Sequence, residues 1–228
     1  MLDRAGRFEP LEYALALTSF AAGTVDVISF TKLGGILASA MTGNLAFLAL
    51  YSAAGAIYSA IGSLISLSGF ILGAAAGTLL TRDQLSHRAV TVLIGSETIL
   101  LLGASVLWFA ASHRNGYLST DVLILILSSA MGLQSICGKK INLSSIPTVV
   151  FTSTLTNIVI AVTEALARRS SLTTDTKRQL VSFSLYFAGA FIAGLLAFFN
   201  LRIIIFLPLA AAVSALWIHT RGTPRPDR

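Results

Sequence analysis

Between Leu33 and Thr81 the chain carries no charged residue. As a single helix those 49 residues would run about 74 Å at 1.5 Å per residue. A bilayer core is only about 30 Å thick, so the stretch has to turn back, and a turn near Ser59–Ser63 is the simplest way to do it. The rest of the chain agrees: 55% of residues are hydrophobic and 11% charged, with a mean hydropathy of +0.81, whereas a soluble domain is roughly 25% charged. The expected fold class is an all-α, polytopic transmembrane helix bundle, with residues 1–228 forming a single integral membrane domain.

Apolar runs bounded by charge or turn residues predict eight spans: Leu11–Thr31, Ala38–Tyr58, Ile61–Leu80, Thr91–Ala111, Asp121–Gly138, Thr148–Ala167, Leu180–Phe199 and Ile203–His219. Six crossings are the alternative, with the second and sixth runs re-entrant. Arg4 and Arg7 before an apolar run imitate a secretory signal. That run is longer than a signal core and contains Asp26, so an uncleaved first span is expected. With eight spans, 10 Lys and Arg lie on the side of the termini and 6 (Lys32, Arg82, Arg88, Lys139, Lys140 and Arg202) on the other. This predicts a multi-pass protein of the inner or plasma membrane with cytoplasmic termini.

The two halves, residues 11–111 and 121–219, look alike. Gly23-Thr24-Val25-Asp26 followed by Met41-Thr42-Gly43-Asn44-Leu45 is echoed by Gly132-Leu133-Gln134-Ser135 followed by Phe151-Thr152-Ser153-Thr154-Leu155. Phe70-x-x-Gly73-x-x-x-Gly77 recurs as Phe187-x-x-Ala190-x-x-x-Gly194. The expectation is a tandem repeat of four helices. Four is even, so the copies should be parallel, related by an axis along the membrane normal.

Polar residues inside spans carry the functional information. A carboxylate such as Asp26 costs roughly 2.5–3.5 kcal/mol at a helix centre even on lenient scales. Two readings stand: a coupling carboxylate in a cavity, or a group bonded to a neighbouring helix. Thr42-Gly43-Asn44 forms a polar, conformationally permissive spot. With Thr152, Ser153, Thr154 and Asn157 it should line one central seam together with Asp26 and Gln134. The candidate substrate-binding residues are therefore Asp26, Thr42, Gly43, Asn44, Gln134, Thr152 and Thr154; the competing reading is cross-helix bonding worth about 0.6 kcal/mol per residue. Glu97 is expected to bond neighbouring serines or face headgroups, with a direct functional role as the alternative. Gly69, Gly73 and Gly77 read as a packing stripe, and Pro208 as a kink in the eighth span.

Several classes are set aside. Basic residues are scattered over loops and tails without interleaved aromatics, so no nucleic acid is expected. Cys137 stands alone, and His87, His113 and His219 are far apart at predicted helix ends, so no metal and no cofactor are expected. Neither a nucleophile with a base nor a hydrolase or phosphate-loop motif is present, so no catalytic residue is assigned and the chain is not expected to be an enzyme.

In Gly23-x-x-Asp26, Met41-Thr42-Gly43-Asn44, Phe70-x-x-Gly73, Glu97, Met131-Gly132-Leu133-Gln134 and Thr148-x-x-x-Thr152-x-Thr154-Leu155-Thr156, the sequence resembles the YoaK-like family of small bacterial and fungal membrane proteins, a domain of unknown function. The resemblance covers nearly the whole chain. It implies a polytopic membrane protein without implying an activity. The family's later motif usually carries a second Thr-Gly pair, and here Thr152-Ser153 replaces it, altering the second half-site.

The leading expectation is a small-molecule transporter or permease with its polar site between two helical repeats. The alternative is a non-transporting scaffold or assembly protein. The expected partners are the lipid bilayer, an unidentified small solute or a proton, and, as an open alternative, further copies of the chain in a homo-oligomer.

Overall fold

The computed structural model describes residues 10–84, 86–111, 117–140 and 151–222. These form eight α-helices and no strand: α1 (Pro10–Lys32), α2 (Met41–Ala53), α3 (Ile57–Leu80), α4 (Ser86–Ala111), α5 (Tyr117–Lys140), α6 (Phe151–Arg168), α7 (Thr174–Phe198) and α8 (Phe206–Arg221). A short 3-10 turn, Arg202–Ile205, leads into α8. Six of the helices, α1, α3, α4, α5, α7 and α8, are long and apolar enough to cross a bilayer, the lower of the two counts left open by the sequence. With 13 residues, α2 is about 20 Å long and cannot span it. Pro208 lies in the first turn of α8, just after the 3-10 turn Arg202–Ile205, where its missing N–H costs little. His113 lies outside the described residues.

The helix ends follow local chemistry. The α1 helix stops at Gly34 and Gly35, both with positive φ, a region open to glycine without a Cβ clash. At the end of α2, Gly55 takes positive φ and Ala56 N–H bonds back to the Tyr51 carbonyl. The α6 end repeats this with Arg169 and a Ser170 N–H bond to Ala165, a left-handed stop in both cases. At the start of α7, the Thr173 hydroxyl accepts from Thr176 N–H at 3.2 Å.

Pairwise contacts fix the direction of each helix. Glu12 pairs with Arg178, Gly23 lies against Tyr186 and Ala190, and Lys32 bonds Asn200, so α1 and α7 run side by side in the same direction. The sequence Gly62–Ile124, Gly69–Ser128, Gly73–Ser129, Gly77–Leu133 makes α3 and α5 parallel to each other. His87 stacks on His219 and Phe109 on Phe206, so α4 and α8 are antiparallel. Gly222 packs on Pro10, which sets α8 antiparallel to α1. One core runs through α1, α4, α5 and α8, with Leu15, Leu93, Leu133 and Ala215 buried together. The crossings α1, α4 and α7 therefore point one way and α3, α5 and α8 the other.

This changes the expected relation between the halves. A parallel relation requires α4 and α8 to run the same way, and they run opposite ways. The reason is arithmetic: each half has three crossings rather than four, and an odd number inverts the second set. The four-helix alternation also placed Arg82, Arg88, Lys139 and Lys140 opposite the termini. The observed directions put them at the same end as Pro10 and Gly222.

Glycines let the parallel pairs touch backbone to backbone. A Cβ on Gly23 would sit 2.1 Å from the Tyr186 carbonyl oxygen, and one on Gly132 would sit 2.3 Å from that of Phe70. A Cβ on Gly189 would meet the Phe20 carbonyl at 2.3 Å, and one on Gly73 that of Ser129 at 2.0 Å. Both pairs thus use the same contacts, with Gly23 matching Gly132 and Gly73 matching Gly189. Phe70 accordingly corresponds to Tyr186, one residue earlier than the Phe187 match suggested by the motif.

Candidate functional site

After α1 the chain does not leave the bundle. Residues 33–40 turn back into it as irregular backbone, with Leu33, Ile36, Ala38 and Ser39 buried. Non-helical backbone at membrane depth persists only where protein groups satisfy its N–H and C=O. Here side chains from three helices, α1, α2 and α3, do so, and side chains of α5 and α7 support them. Asp26 Oδ1 accepts from the main-chain N–H of Ala38 at 2.9 Å and of Ser39 at 2.7 Å. Its Oδ2 accepts from the hydroxyls of Ser39 and, at 2.8 Å, Tyr186 on α7. Asn44 pairs with Leu37 as a strand neighbour would: its Oδ1 accepts from Leu37 N–H at 3.0 Å and its Nδ2 donates to the Leu37 carbonyl. Nδ2 also donates to Ser66 Oγ at 2.8 Å. Ser66 in turn bonds the Leu37 carbonyl and meets Ser128 of α5, each at 2.8 Å.

The same bonds set the depth of α2. Asn44 lies opposite Ser66, nine residues before the end of α2 and nine after the start of α3, so both stand about 13 Å from the α2–α3 turn. The α2 helix therefore starts midway down the bundle and climbs back to the end where α1 finished. Its first turn has no side-chain cap.

Of the predicted seam, the structure brings Asp26 and Asn44 together, on neighbouring residues of one loop. Gly43 follows the loop closely, since a Cβ there would meet Leu37 Cδ1 at 3.2 Å. Thr42 and Thr152 are exposed, and Thr154 is buried on α6. Gln134 is buried elsewhere, donating from Nε2 to the Thr18 carbonyl at 2.9 Å and tying α5 to α1. Among the described residues, no hydrogen bond of Asp26 or Asn44 goes to Gln134, Thr152 or Thr154. A cleft lined by Val162, Ala165, Leu166, Arg169, Ser170 and Leu172 lies at the α6–α7 turn, away from Asp26.

Ser39, Ser66, Ser128 and Tyr186 complete the group and were not singled out in the sequence. Ser66 had a signal: it precedes the Gly69-x-x-x-Gly73 stripe on the same helix face. Tyr186 had none, because nothing in its own neighbourhood separates it from the surrounding aromatics.

Glu97 departs from its expectation. It faces neither headgroups nor serine hydroxyls. It is fully buried near the middle of α4, and neither carboxyl oxygen has a partner among the described residues. One turn before it on α4, Leu93 and Ile94 belong to a buried apolar cluster with Leu15 of α1, Leu133 and Cys137 of α5 and Ala215 of α8, and the Cys137 thiol lies within electrostatic range of Glu97. The three histidines separated in sequence also partly converge, with the rings of His87 and His219 stacked at 4.3 Å.

Comparison with known proteins agrees with this architecture. The chain is 29% identical over 187 residues to UPF0700 transmembrane protein YoaK of Bacillus subtilis (strain 168), covering 79% of this chain and 81% of that protein. No solved structure gives a significant match. Residues 14–218, which include all six long helices in whole or nearly so, match one family model, and the chain accordingly belongs to the family described as Protein of unknown function (DUF1275).

Proposed function

We propose that this protein is a small-solute permease, not an enzyme, built from two inverted units of three crossings and one shorter helix each. The observation that carries the reading is the reciprocal, opposite-direction packing of the halves together with a re-entrant segment that ends midway through the bundle. Inverted halves with broken segments at mid-depth are the construction on which many secondary transporters alternate access. Asp26, Thr42, Gly43 and Asn44 belong to the proposed site in the first unit. Gln134, Thr152 and Thr154 are the contribution proposed for the second.

The helix directions also bear on orientation. Among the described residues, Arg82, Arg88, Lys139, Lys140, Arg168, Arg169, Lys177, Arg178 and Arg221 fall at the end of the bundle holding Pro10, and only Lys32 and Arg202 at the other. Nine against two supports termini in the cytoplasm of a cell with this chain in its inner or plasma membrane.

The test is uptake by purified protein in liposomes containing a pH-sensitive dye, challenged in turn with amino acids, sugars and organic acids. A permease moves at least one class faster than protein-free vesicles do, and Asp26→Asn lowers that rate. A scaffold is the second reading. It is favoured by one observation: the polar atoms of Asp26 and Asn44 are already taken up by the chain's own loop. A scaffold predicts no uptake, and no solute that raises the melting temperature, whereas a ligand at 100 times its dissociation constant adds about 2.7 kcal/mol.

A further inference from the structure

Among the described residues three carboxyl groups are buried, Glu12, Asp26 and Glu97, and two have a structural job. Glu12 pairs with Arg178. Asp26 holds a loop through four donors. Glu97 holds nothing: both of its oxygens are buried and without a partner among the described residues. Leucine, methionine or glutamine would fill the same space between α1, α4, α5 and α8 without placing a charge there. An ionised carboxylate cannot be kept in an apolar core with no donor, whereas its neutral acid can. The helix offers no compensation either, since Thr98 turns its hydroxyl to the Ile94 carbonyl at 2.7 Å.

Among the described residues, no fixed counter-charge faces Glu97. On α5 the titratable group facing Glu97 is Cys137, while Asp121 and Lys139 stand near the two ends of that helix. On α8, His219 is engaged with His87, ten residues and about 15 Å along α4 from Glu97. Arg202 lies over the Phe109 ring. On α1, Glu12 pairs with Arg178 and Asp26 with the loop, and α3 brings no charged residue.

We propose that Glu97 is a proton-binding site: the carboxyl carries a proton while the four helices are closed around it and gives that proton to water when they part. No other bond changes in the step. The assignment of this proton as a coupling ion rests on the permease reading; the binding of the proton does not.

The experiment is pH-difference infrared spectroscopy of the full chain in lipid membranes, from mildly acidic to mildly alkaline solution. The expected result is a carboxylic acid C=O band that vanishes as the pH rises, is lost in Glu97→Gln and survives in Asp26→Asn. Glu97→Gln mimics the neutral acid and should melt as wild type does in mildly acidic solution, which shows that the lost band is not lost folding. A parallel readout is dicyclohexylcarbodiimide, which adds to protonated carboxyls, with the adduct located on the Glu97 peptide by mass spectrometry. A spectrum unchanged by Glu97→Gln, or a Glu97 band that never titrates, overturns the proposal. Either can occur in a protein that transports, and a titrating Glu97 can occur in one that does not, so the two readings fail separately.

Discussion

The α1–α7 and α5–α3 contacts use the same glycines in the same register, yet their polar residues differ. Gly23 and Gly189 join the first pair, Gly132 and Gly73 the second, each against a facing carbonyl. At matching positions, however, the first pair has Asp26 bonded to Tyr186, where the second has Ser135 and Phe70. Among the described residues, Ser135 bonds within its own helix, to the Gly132 carbonyl at 2.7 Å. Close packing of the two helix pairs is thus served by matched small residues. In the first pair an acid and a phenol also take part in holding irregular backbone at depth.

That contrast can be broken by substitution. Asp26→Ala strands two main-chain N–H groups and two hydroxyls, and at about 1–3 kcal/mol per buried orphan with partial relaxation the loss should be about 3–5 kcal/mol. Ser135→Ala at the matching position should cost below about 0.5 kcal/mol, because its hydroxyl only back-bonds to a helical carbonyl. Melting in detergent, with the two variants side by side, checks the pair, and equal losses would erase the asymmetry.

Glycine substitutions should instead treat the halves alike. Gly23→Val and Gly132→Val each drive a side chain into a facing carbonyl and should cost about 3 kcal/mol, the upper part of the usual overpacking range. An added Cβ at Gly194 meets nothing within 4 Å, so Gly194→Ala should be neutral or stabilising by up to about 1 kcal/mol. A large difference between Gly23→Val and Gly132→Val would contradict the matched register.

Smaller changes probe the loop itself. Asn44→Ala removes both bonds to Leu37 and should cost about 2 kcal/mol. Faster hydrogen exchange should then appear at residues 36–39 before the rest of the bundle. Tyr186→Phe places the residue of the other pair at this position and removes one hydroxyl bond to Asp26, for about 1 kcal/mol. Combining Tyr186→Phe with Asp26→Asn should lose less than the sum of the two, since the variants share one bond.

Much of the architecture was legible in the sequence because it depends on composition and length. The charge-free stretch from Leu33 to Thr81 demanded a turn, and the observed turn at Ala54–Ala56 lies only a few residues before the expected one. The pairing of Asp26 with the Asn44 region was legible too, because polar groups in lipid have to find each other. What was not legible was the depth of residues 33–40. An apolar segment reads the same whether it forms a helix or an extended strap, and here the difference lies in Gly34, Gly35 and the acceptors on Asp26 and Asn44. That ambiguity added a crossing to the first half, and counting one in each half reversed the expected relation between them. Glu97 was visible as a charge in a span, but its lack of partners is a property of packing that one helix cannot display.

Whether each half crosses three times is read most directly by single-cysteine accessibility in oriented membrane vesicles, on a Cys137→Ser background. Gln84→Cys and Ser170→Cys should react with an impermeant maleimide from the side holding Pro10, and Ser59→Cys from the opposite side. Four crossings per half would place Ser59 and Ser170 on one side with Gln84 on the other, and that pattern would contradict three crossings.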